Sequence, residues 1–190
     1  MSGESLDRRA LLHAAAAAAG AFGVGLVMGR ALSVERTPAG GPPRSLSVRE
    51  WETLEAVLAH LLPSDDLGPG APEVNAIGYL DGVLADTRIP RHIAPTVRAA
   101  VPSLDQWARG RGALDFAGLG FDGRERALRE HVATPEGLAW LRIVMGFVLE
   151  AFLGDPARGA NPDGIGWTAV GHRPGWPRPT TPGWQPQERS

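Results

Sequence analysis

The chain has 190 residues, enough for one domain with tails, and a formal net charge of −2. That balance argues against a nucleic-acid surface. It has no cysteine, which excludes disulfides, thiolate zinc sites, iron–sulfur clusters and thioether haem attachment within this chain.

Residues 1–30 read as a targeting segment. Arg8 and Arg9 stand just before an apolar run, and Ala14 to Met28 carries no charge. A charged start followed by an apolar stretch is the layout of a signal peptide. The paired arginines at this offset resemble the twin-arginine (Tat) export motif, with Asp7 where Ser or Thr is more usual. The alternative is an uncleaved membrane helix. Ala10 to Gly29 approaches the roughly 20 residues a span needs, but it is rich in Ala and Gly. No clear A-x-A site follows, so cleavage stays open. Residues 31–44 are a linker by composition, ending Thr-Pro-Ala-Gly-Gly-Pro-Pro-Arg.

The folded domain is expected over 45–172. Ser47 and Glu50 fit a capping box. Trp51, Leu54, Val57, Leu58, Leu61 and Leu62 recur at helical spacing, and Pro63 stops that helix. His60 lies off the stripe and reads as an edge or surface residue. The Asp65-Asp66 pair reads as solvated loop or cap chemistry, since no third carboxylate sits at a ligand spacing. A second helix is expected from Pro72 and Glu73, with Val74, Ile77, Leu80, Val83 and Leu84 as its apolar stripe. A third is expected from about 94 to 108, with a kink at Pro102 and with Val97, Val101, Leu104 and Trp107 facing inward. Phe116 and Leu119 read as core anchors in the loop that follows. Residues 122–132 form a short charged helix with Leu128 inside. Thr134-Pro135-Glu136 opens the last helix, whose run from Leu138 to Leu153 carries only Arg142 and Glu150 as charges. Apolar residues on nearly every face imply burial on several sides, or one face covered by another subunit.

Gly154 to Gly171 runs G-D-P-A-R-G-A-N-P-D-G-I-G-W-T-A-V-G. It is too rich in Gly and Pro to predict a helix or a central strand. Asp155-Pro156, Asn161-Pro162 and Asp163-Gly164 are turn signals, and such side chains can bond nearby backbone amides. Beyond it, 173–190 is a Pro/Trp-rich tail expected to be extended. Gly-Trp recurs at 166–167, 175–176 and 183–184. Trp176 and Trp184 make this tail a candidate arm across its own domain or a partner. A disordered end is the plainer alternative.

These residues carry a family resemblance. Asp155-Pro156-x-x-Gly159-x-Asn161, then Gly166-Trp167 and Gly171, resembles the C-terminal signature of the gluconate 2-dehydrogenase subunit 3 (gamma subunit) family. The usual pattern there is D-P-x-Y-G-G-N. Arg158 replaces the aromatic here, and Ala160 the second glycine. Pro63, Pro69-Gly70-Ala71, Glu73 and Tyr79-Leu80-Asp81 match as well, so the resemblance covers most of the chain.

The fold class expected is all-α, a compact bundle of about five helices between an N-terminal signal segment and an extended tail. Catalytic apparatus is not evident. There is no dinucleotide fingerprint, nucleophile elbow, H-E-x-x-H or P-loop. The five histidines are scattered. Asp155, Asn161 and Asp163 do not match an EF-hand loop, and turn capping explains them without a metal. The reading is therefore no catalytic, cofactor-binding or metal residue in this chain, with Asp155, Pro156, Gly159, Asn161, Trp167, Trp176 and Trp184 as structural or partner contacts.

The resemblance implies a non-catalytic subunit beside a large FAD-dependent dehydrogenase of the glucose–methanol–choline type. It also implies a cytochrome c subunit carrying haem in some assemblies. Such small subunits can bear the one Tat signal, so that Arg8 and Arg9 would engage the Tat translocase for both chains. The expected location is periplasmic, at the inner membrane. The alternative is a free-standing periplasmic ligand-binding or enzymatic domain. Its pocket would lie at Asp155–Trp167, with Trp167 stacking on a sugar.

Overall fold

The computed structural model describes residues 42–174. Arg8, Arg9, Trp176 and Trp184, with the predicted signal and most of the tail, lie outside the described residues. Within them the chain is helical: α1 (Val48–Leu61), α2 (Ala76–Ala85), α3 (Ile93–Arg98), α4 (Val101–Arg109), α5 (Phe121–His131), α6 (Pro135–Leu153) and the short α7 (Ile165–Ala169). Two 3-10 turns, Pro156–Arg158 and Pro162–Gly164, lead into α7. No strand forms among the described residues, and Asp65 and Gly68 pair only as an isolated bridge.

The start of α1 follows its sequence. Ser47 accepts from the Glu50 amide, and Glu50 accepts from the Ser47 amide at 2.7 Å, closing the capping box. Leu54, Val57 and Leu58 are buried, as their spacing predicts. At the centre lies α2. Every residue from Ala76 to Leu84 is buried, and the helix packs between α1 and α6. Side chains such as Leu80 and Val83 each contribute about 1.5–3 kcal/mol by leaving water. On the other side, α4 packs on α1 and α5, and α3 on α6. The Trp140 indole N–H donates to the Val97 carbonyl at 2.9 Å and ties α6 to α3.

Several boundaries differ from expectation. The second helix does not begin at Pro72. Residues 71–75 form a tight turn, and α2 starts only after Asn75, which is left-handed at φ 56°. Glu73 is not a helix-start charge but a brace for the preceding loop. It accepts from the Ser64 hydroxyl at 2.6 Å and the Gly70 amide at 3.0 Å. The expected helix over 94–108 is two helices, broken at Ala99-Ala100. Pro102 has no amide to give the Arg98 carbonyl, and its ring crowds that oxygen. Trp107 is half-buried rather than inward. Its indole donates to Glu130 at 2.6 Å, and the Arg111 guanidinium lies 3.6 Å from the ring centre. Leu119 is also only half-buried, whereas Phe116 is fully buried. His60 is not a surface residue. Its side chain is buried and pairs with Glu125 of α5 at 2.6 Å. Burial pushes the Glu125 carboxyl up, but His60 and Arg129 together outweigh it and hold the group below its ordinary value.

As expected, α6 is the long apolar helix, capped by Thr134. Its inner face buries Trp140, Val144, Val148 and Phe152. Its outer face carries leucines around one exposed charge, Arg142. Leu138 is 39% exposed and Leu153 47% exposed. Leu141 and Leu149 between them are half-buried on the same stripe. At Gly146 a Cβ would meet nothing within 4 Å. Gly146→Ala is thus expected to stabilise the isolated chain by about 0.5–1 kcal/mol, through helix propensity alone. Thermal unfolding measures this, and a lowered Tm would mean that the face is occupied in the free chain. No helix among the described residues is long and apolar enough to cross a membrane.

Candidate functional site: the loops that close the end of α6

The last turn of any α-helix leaves carbonyl groups without intrahelical partners. At the C-terminus of α6 the following loop supplies the partners. The Gly154 amide donates to Glu150 O at 2.8 Å. The Trp167 indole N–H donates to Leu153 O at 2.6 Å. The Asn161 side-chain amide donates to Gly154 O at 2.9 Å. The loop therefore folds back over the helix it leaves.

Asn161 is the centre of this closure. It is fully buried and left-handed at φ 50°. Its side-chain oxygen accepts from the Gly166 amide at 2.7 Å, and its own backbone amide donates to Val74 O at 3.0 Å. One residue thus joins α6, α7 and the 71–75 turn. A second asparagine works from the other side. Asn75 donates from its side chain to Gly159 O at 2.8 Å. Asp155 caps the first 3-10 turn by accepting from the Ala157 amide at 2.9 Å. Pro156 opens that turn and Gly159 closes it in the left-handed region at φ 87°.

Two glycines explain the spacing. A Cβ on Gly166 would fall on the Phe152 carbonyl oxygen, so any side chain there would push α7 off α6. Gly164, at φ +71°, brings its backbone to the Trp167 ring, where a Cβ would lie 3.0 Å from a ring carbon. Contrary to expectation, the stretch therefore contains a helix. Ile165 to Ala169 has no proline, and the docking of Trp167 offsets the cost of its glycine.

The structure brings together five of the residues singled out from the sequence: Asp155, Pro156, Gly159, Asn161 and Trp167. It also joins the two stretches that carried the resemblance, since the 71–75 turn and the 155–161 loop are bonded through Asn75 and Asn161. Trp167 is buried. Gly164 lies against its ring and the His172 ring packs on its edge, 5.6 Å between centres. A tryptophan so covered leaves no open face for a sugar, which removes the stacking platform that a pocket at Asp155–Trp167 would need.

One ionisable pair borders the site and was not anticipated. The Tyr79 hydroxyl of α2 donates to Glu150 of α6 at 3.0 Å. Burial pushes the Glu150 carboxyl above its ordinary value, although Tyr79 and the nearby Arg158 pull it back. Burial, then the Glu150 charge, pushes Tyr79 up in turn. Because Glu150 holds its proton more tightly folded than unfolded, it favours the fold most below the ordinary value of 4.5. That contribution is lost as pH rises through the folded value. Glu150→Gln keeps an acceptor for Tyr79 and is expected to raise Tm at pH 7. The advantage should shrink as pH falls towards 4.5. Scanning calorimetry across that range tests it. A constant offset at every pH would assign the effect to packing instead.

No three His, Cys, Asp or Glu side chains gather as a metal-holding group among the described residues. The fold and the closed loop define a small all-α domain whose most elaborate polar network serves its own architecture. Its sequence matches the family model of gluconate 2-dehydrogenase subunit 3 over residues 48–175. The chain belongs to that family, whose description is that of a subunit of a dehydrogenase complex. No curated protein and no solved structure matches it.

Proposed function

We propose that this chain is the non-catalytic small subunit of an exported, membrane-associated, FAD-dependent sugar or alcohol dehydrogenase. The observation that carries the proposal is the outer face of α6. Leu138, Leu141, Leu149 and Leu153, with the exposed Arg142 among them, line a helix whose opposite face already fills the core. Gly146 opens the middle of that face to close approach. A leucine-lined face on the longest helix is suited to another protein surface. The expected occupant is the large flavoprotein subunit, and a cytochrome c subunit would complete the electron path in assemblies that have one. The hydride chemistry belongs to FAD in the partner, and this chain contributes folding, stability and export of the complex. The Arg8-Arg9 pair would send both chains through the Tat translocase to the periplasmic side of the inner membrane.

Recovery of the tagged chain from its own cells tests this, with a flavin absorbance spectrum of the eluate. A dehydrogenase-sized flavoprotein in stoichiometric yield is expected. Arg8→Lys with Arg9→Lys should remove both chains from the periplasm together. Gly146→Phe should leave the isolated chain folded, because the space there is open, yet cut flavoprotein recovery by at least about tenfold if the ring blocks a contact worth 1.4 kcal/mol or so. A colourless monomer from wild-type cells would sink the subunit reading. Unchanged recovery with Gly146→Phe would move the interface away from α6.

A further inference from the structure

The end of the domain where the chain leaves the described residues carries an apolar patch separate from the α6 stripe. Leu67 is 59% exposed and Val170 is 56% exposed. They belong to segments that touch, since a Cβ on Gly68 would lie 3.0 Å from the Ala169 Cβ. The loop holding Leu67 is fixed in place. Asp65 and Gly68 exchange backbone bonds of 3.2 and 3.1 Å, and the Leu67 amide donates to the Asp65 carboxylate at 2.8 Å. A loop so restrained still presents a leucine outward. After Val170 the chain reverses at Gly171, at φ +70°. The His172 amide then donates back to Trp167 O at 2.8 Å. The chain is thus turned back over α7 before residue 175.

We infer that Trp176 of the C-terminal segment seats on the Leu67–Val170 patch of its own chain. Three observations favour this occupant over another molecule. The first is reach. Trp176 follows His172 by four residues, which extended polyproline-like chain covers in roughly 12 Å. The second is chemistry. Pro174 and Pro177 flank Gly175-Trp176, and stiff chain presenting a large flat ring loses little freedom on docking. The third is charge. Arg173 and Arg178 bracket Trp176, and the exposed Asp66 stands directly before Leu67. The seated segment would cover the apolar pair with the ring and face Asp66 with its guanidinium groups. The effective concentration of a tethered segment is high, so modest contacts suffice. The Gly-Trp unit at 183–184 is too far along the chain to be held to the same patch by these arguments, and it serves as the control.

Hydrogen exchange of the full chain, read by mass spectrometry, tests the seat. Trp176→Ala should speed exchange over 65–70 and 168–172 by about tenfold, the value of one good aromatic contact of roughly 1.4 kcal/mol. Trp184→Ala should leave those peptides unchanged. Leu67→Ser alters an exposed side chain, so the fold survives, and it should speed exchange of the peptide spanning 175–178. Each measurement is repeated at tenfold dilution. Unchanged exchange in both Trp176→Ala and Leu67→Ser would overturn the inference. Protection that fades on dilution would assign the patch to a second copy. Protection that appears only when the flavoprotein subunit is added would assign it to that partner.

Discussion

Asn161→Ala is expected to destabilise the domain by about 3–5 kcal/mol, a large share of what a small domain has. Three costs combine. The Gly166 amide, which is buried with its partner, loses its acceptor, and Gly154 O loses its donor. The buried Gly166 amide left unpaired costs about 1–3 kcal/mol, and the part-buried Gly154 O costs less because water can reach it. Alanine also disfavours the left-handed backbone at φ 50° by about 1–2 kcal/mol. Asn161→Gly separates these causes, because glycine keeps the backbone and loses only the side chain. It should recover about 1 kcal/mol of the alanine loss. Urea unfolding of the three proteins gives the series. A loss below about 1 kcal/mol for alanine would mean that Asn161 does not hold the end of α6.

Much of the helical frame is legible because it rests on local signals. The Ser47–Glu50 box, the Thr134-Pro135 start of α6 and the stop at Pro63 depend on residues within one turn of the boundary. The start of α2 is not legible in the same way. Pro72-Glu73 carries the composition of a helix start, but Glu73 is drawn to Ser64 and Gly70, and Asn75 is drawn to Gly159 eighty-four positions away. Those competing bonds are long-range, and no window of sequence contains them. The break before Pro102 is a near miss of a different kind. The proline was visible, but whether a helix bends or stops there depends on what packs around it.

The candidate site shows the same division. Asp, Asn, Gly and Pro between 154 and 171 announce an ordered loop, and Asp155 caps its neighbour as such residues do. That the loop closes α6 depends on where Trp167 and Asn161 reach, which no spacing rule contains. The burial of His60 against Glu125 is not legible in the sequence, because a histidine at the edge of an apolar stripe is usually wet. From the sequence Glu150 reads only as one of two charges, with Arg142, in an apolar run. Its pairing with Tyr79 requires α2 and α6 to be neighbours.

Asp81 is the clearest residue whose role only the fold discloses, and its removal is the second large expected effect. In the sequence it is merely the end of Tyr79-Leu80-Asp81. In the structure it is fully buried on α2 and accepts three backbone amides in succession: Arg44 at 2.7 Å, Ser45 at 2.9 Å and Leu46 at 2.8 Å. Bonds to an ionised acceptor are worth more than neutral ones, about 1.5–3 kcal/mol each in place of roughly 1. Arg98 adds a second hold through Ser45, donating to its carbonyl at 2.9 Å and its hydroxyl at 2.6 Å. Together they fix the point where the linker enters the domain, immediately before the α1 cap. Asp81→Ala would leave the Leu46 amide buried without an acceptor, with two further amides released beside it. A loss of about 3–5 kcal/mol is expected, together with faster proteolysis in the 42–46 stretch. Asp81→Asn should lie between, because one oxygen remains while the new amide group faces a donor. Arg98→Ala should cost less than either, since Ser45 keeps its bond to Asp81. Urea unfolding and limited proteolysis of the three variants check the order. If Arg98→Ala proves as costly as Asp81→Ala, the guanidinium rather than the carboxylate holds the entry of the chain.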